Sequence, residues 1–314
     1  MPKPKKTKSP AAGRDRPLDP ERARRIRRYV LQFSAYLAVM GAAVVGFHYL
    51  THFVEDRAAF RTDPPRVVLM NRPAWMSDRV ADQILSTAKP PTAHSVFDQR
   101  LLIDVADMLR SNPWVKQVKQ VRRAYQDAPG DTLEVDCEYR APIALIHWKD
   151  FYWLIDGEGT ALPEQYTPDQ LPKIMYGSDG QMNIRIIEGV SHDPPGTGQH
   201  WGGEDLAAGL DLVKLLYGKP CAQEVCKVDV TNFGGRVDAR EAQLVLRTVH
   251  QTEVRWGRPI NAKDFFVEIS PAEKLDHMEQ LVERYHRIDA NHSWVDIRFD
   301  RVTSPKQEEA DVGH

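Results

Sequence analysis

The longest apolar stretch of the chain runs from Tyr29 to Val54 and contains no Asp, Glu, Lys or Arg. A helix needs about 20 mostly apolar residues to cross the hydrocarbon core of a bilayer, and residues 29–50 supply them. The pattern therefore predicts a transmembrane helix over residues 29–50, followed by a polar linker over residues 51–65. A buried helix of a soluble protein is the alternative, but such helices seldom lack charge for so long.

The pattern from residue 66 to residue 140 changes between strand-like and helix-like periods, in the order β, α, α, β, β. The amphipathic helices end before Pro90 and before Asn112-Pro113, and a turn that contains Gly130 joins the last two strands. The expected elements are a strand at Val67–Leu69 that closes at Asn71, a helix capped by Ser77, a helix over about residues 97–110, and strands over residues 114–123 and 132–139.

The second strand of this region has an irregular pattern. Val115, Val118 and Val121 are three residues apart, whereas the side chains of a regular strand repeat every two. We therefore expect a β-bulge near Lys119 or Gln120.

Residues 141–303 have mostly strand-like patterns, with two amphipathic helices. Glu204 begins one helix, and Ser270-Pro271 begins the other with a capping-box spacing to Glu273. The Gly- and Pro-rich residues 177–203 are expected to form an exposed loop. The expected strands cover residues 144–148, 152–155, 171–176, 225–230, 243–248, 252–256 and 293–302.

These patterns predict an α+β fold in several parts. A single transmembrane helix precedes a β-α-α-β-β domain over residues 66–140 and a mostly antiparallel β domain with flanking helices over residues 141–303. The last residues, 304–314, are polar and predict a disordered tail.

Charge is concentrated at the amino terminus. Residues 1–28 contain 11 Lys and Arg against 3 Asp and Glu, a local charge of +8, and are poor in apolar residues, which predicts a disordered tail. The positive-inside rule keeps such a tail in the cytoplasm and exports the residues after the span. Because the apolar core continues into His48–Thr51 with no small-residue cleavage site, we expect a permanent anchor. With a net charge of −2 for the whole chain, the remainder carries about −10, which argues against nucleic-acid binding by the exported part.

Candidate chemistry is sparse. Cys221 and Cys226 lie in the exported part, where oxidation would permit a disulfide between them, whereas Cys137 fits a buried strand position. His192 and His200 do not have the spacing to these cysteines that a zinc site needs. The chain contains no G-x-S-x-G or H-E-x-x-H motif and no phosphate-binding glycine loop. We therefore expect no catalytic residue, cofactor, metal or small-molecule substrate, and a protein that is not an enzyme.

Several short motifs follow one another behind the predicted anchor. Residues 112–118 (NPWVKQV), 121–123 (VRR) and 132–135 (TLEV) resemble a POTRA domain. Residues 138–144 (EYRAPIA) and the hairpin at 152–159 (YWLIDGEG) come next. The succession resembles the FtsQ/DivIB family of bacterial divisome proteins, which have a cytoplasmic tail, one membrane span, a POTRA domain and a β domain. One departure is Asn71, near which the family usually has Gly.

The carboxyl-terminal part adds to this resemblance. Residues 254–257 (VRWG), Lys274-Leu275 at the start of a helix, and residues 294–300 (WVDIRFD) are similar to the closing pattern of the family. The resemblance implies that the last strand, residues 293–302, binds the extracytoplasmic end of an FtsB-like partner in complex with an FtsL-like protein, partly by strand addition. The implied partner-binding residues are Trp294, Val295, Asp296, Arg298, Phe299, Arg301 and Val302.

Arg298 and Phe299 match the hot-spot positions of the family. An arginine that pairs with a carboxylate beside an aromatic anchor is also a plausible hot spot on general grounds. The alternative is that residues 293–302 are only the final strand of the sheet, with Arg298 in an internal ion pair.

The resemblance implies a non-enzymatic scaffold of the divisome in the inner membrane, located at the division septum and acting by binding other membrane-anchored division proteins. Two alternatives belong to other classes. A POTRA-type envelope transport or assembly protein would usually carry several POTRA units and many barrel strands. A membrane-anchored cell-wall hydrolase would need acid and base residues that converge in a cleft.

Overall fold

The computed structural model describes residues 20–58, 65–90, 99–124, 132–263 and 268–305. The protein is a mixed α+β protein that forms two compact units. The first unit contains a long amino-terminal helix, and the second contains the β-strands and the other helices.

The amino-terminal helix, α1, spans Pro20–Ala58 and has 39 residues, which corresponds to a length of about 58 Å. Among the described residues it is the one helix that is long and apolar enough to cross a membrane, over Arg24–Phe53 with a mean hydropathy of 1.8. The predicted span is thus helical throughout.

Helix α1 is longer than the predicted span at both ends. It includes residues 20–28, which were expected to be disordered, and residues 51–58 of the expected linker. Pro20 suits the first turn of a helix. No Gly or Pro follows before Gly41, so no helix-breaking residue separates residues 20–28 from the apolar stretch. Residues 1–19 and 59–64 lie outside the described residues.

The second unit begins with a three-stranded sheet and two helices. The strand order is β1-β3-β2, with β1 parallel and β2 antiparallel to β3. The predicted order β, α, α, β, β is confirmed. The elements are β1 (Arg66–Met70), α2 (Asp78–Ala88), α3 (Arg100–Arg110), β2 (Val115–Ala124) and β3 (Thr132–Tyr139).

Local signals in this part have the predicted effects. The Ser77 side chain caps α2 by accepting a hydrogen bond from the Val80 N–H. Asn71 has a φ of 53°, in the left-handed region that asparagine tolerates. The ladder between β2 and β3 shifts between Val118 and Gln120, so the bulge expected near Lys119 or Gln120 is present. A second shift lies between Val115 and Gln117.

The rest of the unit is built on an eight-stranded mixed sheet with the order β11-β10-β9-β8-β7-β4-β5-β6. Its strands are β4 (Pro142–Trp148), β5 (Phe151–Asp156), β6 (Ala161–Tyr166), β7 (Arg185–Glu188), β8 (Val225–Asp229), β9 (Leu244–Thr248), β10 (Glu253–Gly257) and β11 (Trp294–Asp296). Its helices are α4 (Leu171–Met175), α5 (Glu204–Leu216) and α6 (Pro271–Tyr285).

The sheet is mixed: four of its seven neighbouring pairs are antiparallel, in keeping with the expectation of a mostly antiparallel domain, and three are parallel. Helix α5 connects β7 to its parallel neighbour β8, and α6 connects β10 to its parallel neighbour β11. Parallel neighbours need such crossover connections.

Two predictions for this part are wrong. Most of the strand expected over residues 171–176 is helix α4, Leu171–Met175, with Pro172 in the first turn, and Tyr176 alone forms a β-bridge, with Met182. Residues 177–203 are not a continuous exposed loop, because β7 lies inside them and its residues Arg185, Ile186 and Ile187 are buried in the sheet. The surrounding glycines and prolines mask this short strand in the sequence.

One hydrophobic cluster of the unit contains residues from both sides of the domain boundary expected at residue 140. It includes Leu109 and Trp114 from the first part and Leu154 and Ile186 from the large sheet. A second cluster contains the α5 and α6 side chains that pack on the same sheet. The two predicted regions therefore form one packed body.

Candidate functional site

The large sheet has two edges, β6 and β11. Strand β6 contains Pro163, which has no N–H to offer to a further strand. Strand β11 is therefore the edge better suited to strand addition, and it belongs to the segment in which the sequence predicts partner binding.

Strand β11 pairs in parallel with β10 and has only three residues. The Glu253 N–H donates to the Ser293 carbonyl at 3.0 Å, and the Ile297 N–H donates to the Arg255 carbonyl at 3.3 Å. The expectation of a strand through Val302 is wrong, because the strand ends at Asp296. The Asp296 carboxylate accepts a hydrogen bond from the Arg298 N–H at 3.0 Å, a local interaction that favours a turn over an extended chain.

The chain returns to the outer side of β11 after this turn. The Asp296 N–H donates to the Thr303 carbonyl at 2.9 Å, and the Thr303 N–H donates to the Asp296 carbonyl at 3.1 Å. Trp294, two residues before Asp296, directs its backbone groups to the same outer side. Thr303 of the same chain thus already binds the outward backbone groups of Asp296 on the edge strand.

Arg298 forms an internal ion pair with Asp296. Its Nε lies 3.0 Å from Oδ1 and its Nη2 lies 2.7 Å from Oδ2. The two side chains are only 13% and 6% exposed. The hydrogen bonds to Asp296 raise the pKa of Arg298 in spite of its burial. The structure therefore shows the internal pair that was the alternative to a partner-binding arginine.

Lys274 lies at the centre of a second polar cluster. Its side chain is 3% exposed, and Nζ donates to the Trp256 carbonyl at 2.8 Å and to Glu268 Oε2 at 2.7 Å. Burial lowers the pKa of Lys274, and the attraction of Glu268 offsets only part of this effect. Gly257 has a φ of 93°, and a side chain there would collide with the Glu268 carboxylate.

The closing pattern identified in the sequence has three segments: residues 254–257, Lys274-Leu275 and residues 294–300. All three contribute residues to the polar clusters around Arg298 and Lys274. Gly257 and Lys274 both face Glu268, and the next residue, Ile269, donates its N–H to the Arg298 carbonyl at 3.0 Å. The motif residues thus fix the position of the edge strand from within. Glu268 was missed by the sequence analysis, because no local pattern singles out this carboxylate as the partner of Lys274.

The remaining predicted residues differ in exposure. Val295 is buried in the core, whereas Phe299 is 42% exposed and Arg301 is exposed. The Trp294 ring is half-buried, and the Arg255 guanidinium lies 4.3 Å from its centre. Beside this edge is a groove of about 280 Å³ between α6 and the last residues, which is lined by His277, Leu281, Arg284, Tyr285, His292 and Val302.

The edge, the exposed Phe299 and the groove form one candidate binding surface, which we call the β11 surface. It offers the outward backbone groups of β11 together with aromatic and basic side chains. Such a combination suits a protein partner that adds a short strand and inserts side chains beside it.

The cysteines are free thiols in this structure, so the disulfide considered for Cys221 and Cys226 is not formed. Cys221 belongs to the cluster beneath α5 and α6, whereas Cys226 packs against the other cluster, and its Sγ lies 3.4 Å from the Arg247 carbonyl oxygen. Burial raises the pKa of both thiols. Cys137 is buried in β3 as predicted, and burial raises its pKa to about 11.

Neither Ser191 nor Ser86 has the neighbouring groups that serine catalysis needs. Ser191 Oγ lies 3.0 Å from His192 Nδ1. The nearby Asp205 carboxylate accepts hydrogen bonds from the Ser191 N–H and from Arg236 instead of binding the His192 ring. These three residues therefore do not form the serine–histidine–aspartate chain of hydrogen bonds that a catalytic triad needs. Ser86 and Lys89 have the S-x-x-K spacing, yet the Ser86 hydroxyl donates to the Gln83 carbonyl within α2. Within the described residues no group of three or more His, Cys, Asp or Glu could hold a metal ion.

Asp205 anchors the loop before α5. It is 2% exposed and accepts hydrogen bonds from the Ser191 and Leu206 N–H groups at 2.8 Å and from Arg236 at 3.0 Å. Burial alone would raise the pKa of Asp205, but these hydrogen bonds outweigh it and lower the pKa of Asp205 below its usual value.

Replacing Asp205 with Asn is expected to lower the free energy of unfolding at pH 7 by about 2 kcal/mol. A carboxyl group whose pKa is lowered in the folded state stabilises the protein above its unfolded pKa of about 3.9, and this stabilisation is lost as the pH falls through the folded value. The difference between the variant and the wild type should therefore shrink below about pH 4. Urea unfolding followed by tryptophan fluorescence measures it, with Asp193→Asn in the same loop as the exposed control.

No protein-family model matches the chain, and no curated protein matches it either.

Proposed function

We propose that this protein is a non-enzymatic scaffold of the bacterial cell division machinery, similar to FtsQ/DivIB proteins. Residues 29–50 of α1 anchor it in the inner membrane, with the basic tail in the cytoplasm and the strand-containing unit on the other side. Its role is to bring other membrane-anchored division proteins together by binding them.

The observation that carries the proposal is the position of the closing pattern in the fold. Gly257, Lys274 and Asp296-Arg298 are far apart in the sequence, yet they form adjoining polar clusters that hold β11 at the edge of the sheet. The residues that carry the resemblance to the family thus share one structural role: they hold the edge strand at which partner binding is expected.

The first part of the second unit supports the same proposal. Its helices and strands follow one another in the order β, α, α, β, β, which is the order on which the resemblance to a POTRA domain is based. The +8 charge of residues 1–28 favours a cytoplasmic amino terminus by the positive-inside rule.

We place the partner on the β11 surface. A partner strand that replaced Thr303 beside Asp296 would restore both backbone hydrogen bonds that it broke, so the exchange has a small net free-energy change. Phe299 and the groove beside α6 would then receive the side chains that select the partner. Partners in the same membrane have a raised effective concentration, so modest contacts suffice.

A fluorescent fusion to the full-length chain is expected to concentrate at the division septum. The matched control joins residues 1–65 to an unrelated folded domain, which keeps the anchor and removes the binding surfaces. We expect the control to spread around the cell envelope. A full-length fusion that stays uniformly distributed through division would contradict the proposed role.

A further inference from the structure

Five arginines lie on the first three turns of α1, directly before the apolar stretch. We call them the arginine cluster, and the side chains of all five are exposed: Arg22, Arg24, Arg25, Arg27 and Arg28. Their positions span about 9 Å along the helix axis, at a rise of about 1.5 Å per residue. The beginning of α1 therefore presents a dense positive charge to its surroundings.

The helix continues from the arginine cluster into the apolar stretch without a break. Helix α1 runs from Pro20 to Ala58, and its part that is apolar enough to cross a membrane covers Arg24–Phe53. With residues 29–50 in the hydrocarbon core, the cluster lies within about 10 Å of the edge of this core, at the level of the lipid headgroups. Since lipids surround every side of a membrane-spanning helix, the arginines need not share one face to reach them.

Apolar side chains among the arginines point to the same environment. Ile26 lies inside the cluster and is 53% exposed, and Tyr29 follows it and is 69% exposed. Tyrosine is enriched where the bilayer core meets the headgroups, and arginine keeps its guanidinium at the headgroups while its aliphatic part packs on apolar groups. The mixture of basic and apolar side chains thus suits a lipid surface.

We propose that the arginine cluster binds the phosphate groups of anionic phospholipids of the phosphatidylglycerol class. A guanidinium presents paired N–H donors that match the oxygens of a phosphate. Basic residues beside a membrane span attract lipids with a net negative charge, whereas the quaternary ammonium of phosphatidylcholine cancels the charge of its phosphate. The cluster thus selects the lipids around the anchor. The inference rests on the proposed anchoring in the membrane and not on the role in cell division.

The test reconstitutes the full-length chain in phosphatidylcholine vesicles with a trace of spin-labelled phosphatidylglycerol or spin-labelled phosphatidylcholine. Electron paramagnetic resonance measures the fraction of each labelled lipid that is immobilised beside the protein. We expect the wild type to bind phosphatidylglycerol about threefold or more tightly than phosphatidylcholine at low salt. This preference should fall in about 1 M salt, where charges are screened beyond about 3 Å.

The test variant replaces all five arginines of the cluster with Gln, which removes the charges and keeps a high helix propensity. The matched control has the same net charge, because it replaces five other basic residues of the tail with Gln: Lys3, Lys5, Lys6, Lys8 and Arg14. We expect the test variant to bind the two lipids about equally and the control to keep the preference of the wild type.

Flotation with the vesicles and helical content from circular dichroism verify that each protein is inserted and folded. A wild type that does not insert would contradict the proposed anchoring and this inference with it. An inserted wild type with equal affinity for the two lipids would overturn the inference alone. A control that loses the preference as fully as the test variant would do the same.

Discussion

Replacing Lys274 with Met is expected to lower the free energy of unfolding of the second unit by about 3–5 kcal/mol. The substitution leaves the Glu268 carboxylate without its closest cation and removes the bond from Nζ to the Trp256 carbonyl. Removing one member of a buried ion pair is strongly destabilising, because the other charge stays buried without compensation. Since Glu268 lies next to the segment that bonds Arg298, we also expect β11 to loosen first.

Urea unfolding followed by tryptophan fluorescence measures this effect, because all seven tryptophans lie in the second unit. Lys214→Met is the matched control. Lys214 is also on a helix and pairs with Asp211 at 3.5 Å, but its side chain is 44% exposed, so a change of at most about 1 kcal/mol is expected.

A second variant separates the ion pair from general packing. Combining Lys274→Met with Glu268→Gln removes both charges, and we expect it to recover part of the lost stability. Equal effects of Lys274→Met and Lys214→Met would contradict the structural role assigned to the cluster.

The elements that the sequence predicts well are those with strong local signals. Strand β3 has the predicted limits, and α6 begins after Ser270 with the expected reciprocal bonds between Ser270 and Glu273. The bulge at Lys119 follows from the spacing of three valines, which conflicts with the strand period. Each of these features depends on neighbours in the sequence.

Features that depend on distant residues were missed. Strand β7 is specified by its place between β4 and β8, and its four residues are too few to outweigh the surrounding glycines. The return of the chain to β11, where Thr303 pairs with Asp296, is a second such feature. No pattern within residues 293–302 reveals this contact.

In the candidate site, too, the sequence reveals what depends on neighbouring residues and not what depends on contacts in the fold. The sequence locates the closing segment but cannot tell a partner-binding Arg298 from one in an internal pair, because both need the same residue. The structure places Arg298 against Asp296 and leaves Phe299 exposed. Arg298 is therefore a poor probe of binding, since its replacement would also break the pair that ends β11.

Phe299→Ala is expected to weaken binding of an FtsB-like partner about tenfold or more, because exposed aromatic anchors often contribute most to a binding interface. Phe299 is already 42% exposed, so its removal should leave the melting temperature nearly unchanged. Phe151→Ala is the matched control, because Phe151 is 45% exposed and lies on β5, outside the β11 surface.

The most direct measurement is the dissociation constant between the full-length chain and the extracytoplasmic part of the FtsB- and FtsL-like proteins from the same cell, determined for the wild type and these two variants. The proposed function predicts binding by the wild type and by Phe151→Ala with similar affinity, and weaker binding by Phe299→Ala alone. Absence of binding by the wild type, or equal affinities of all three proteins, would contradict partner recognition at the β11 surface.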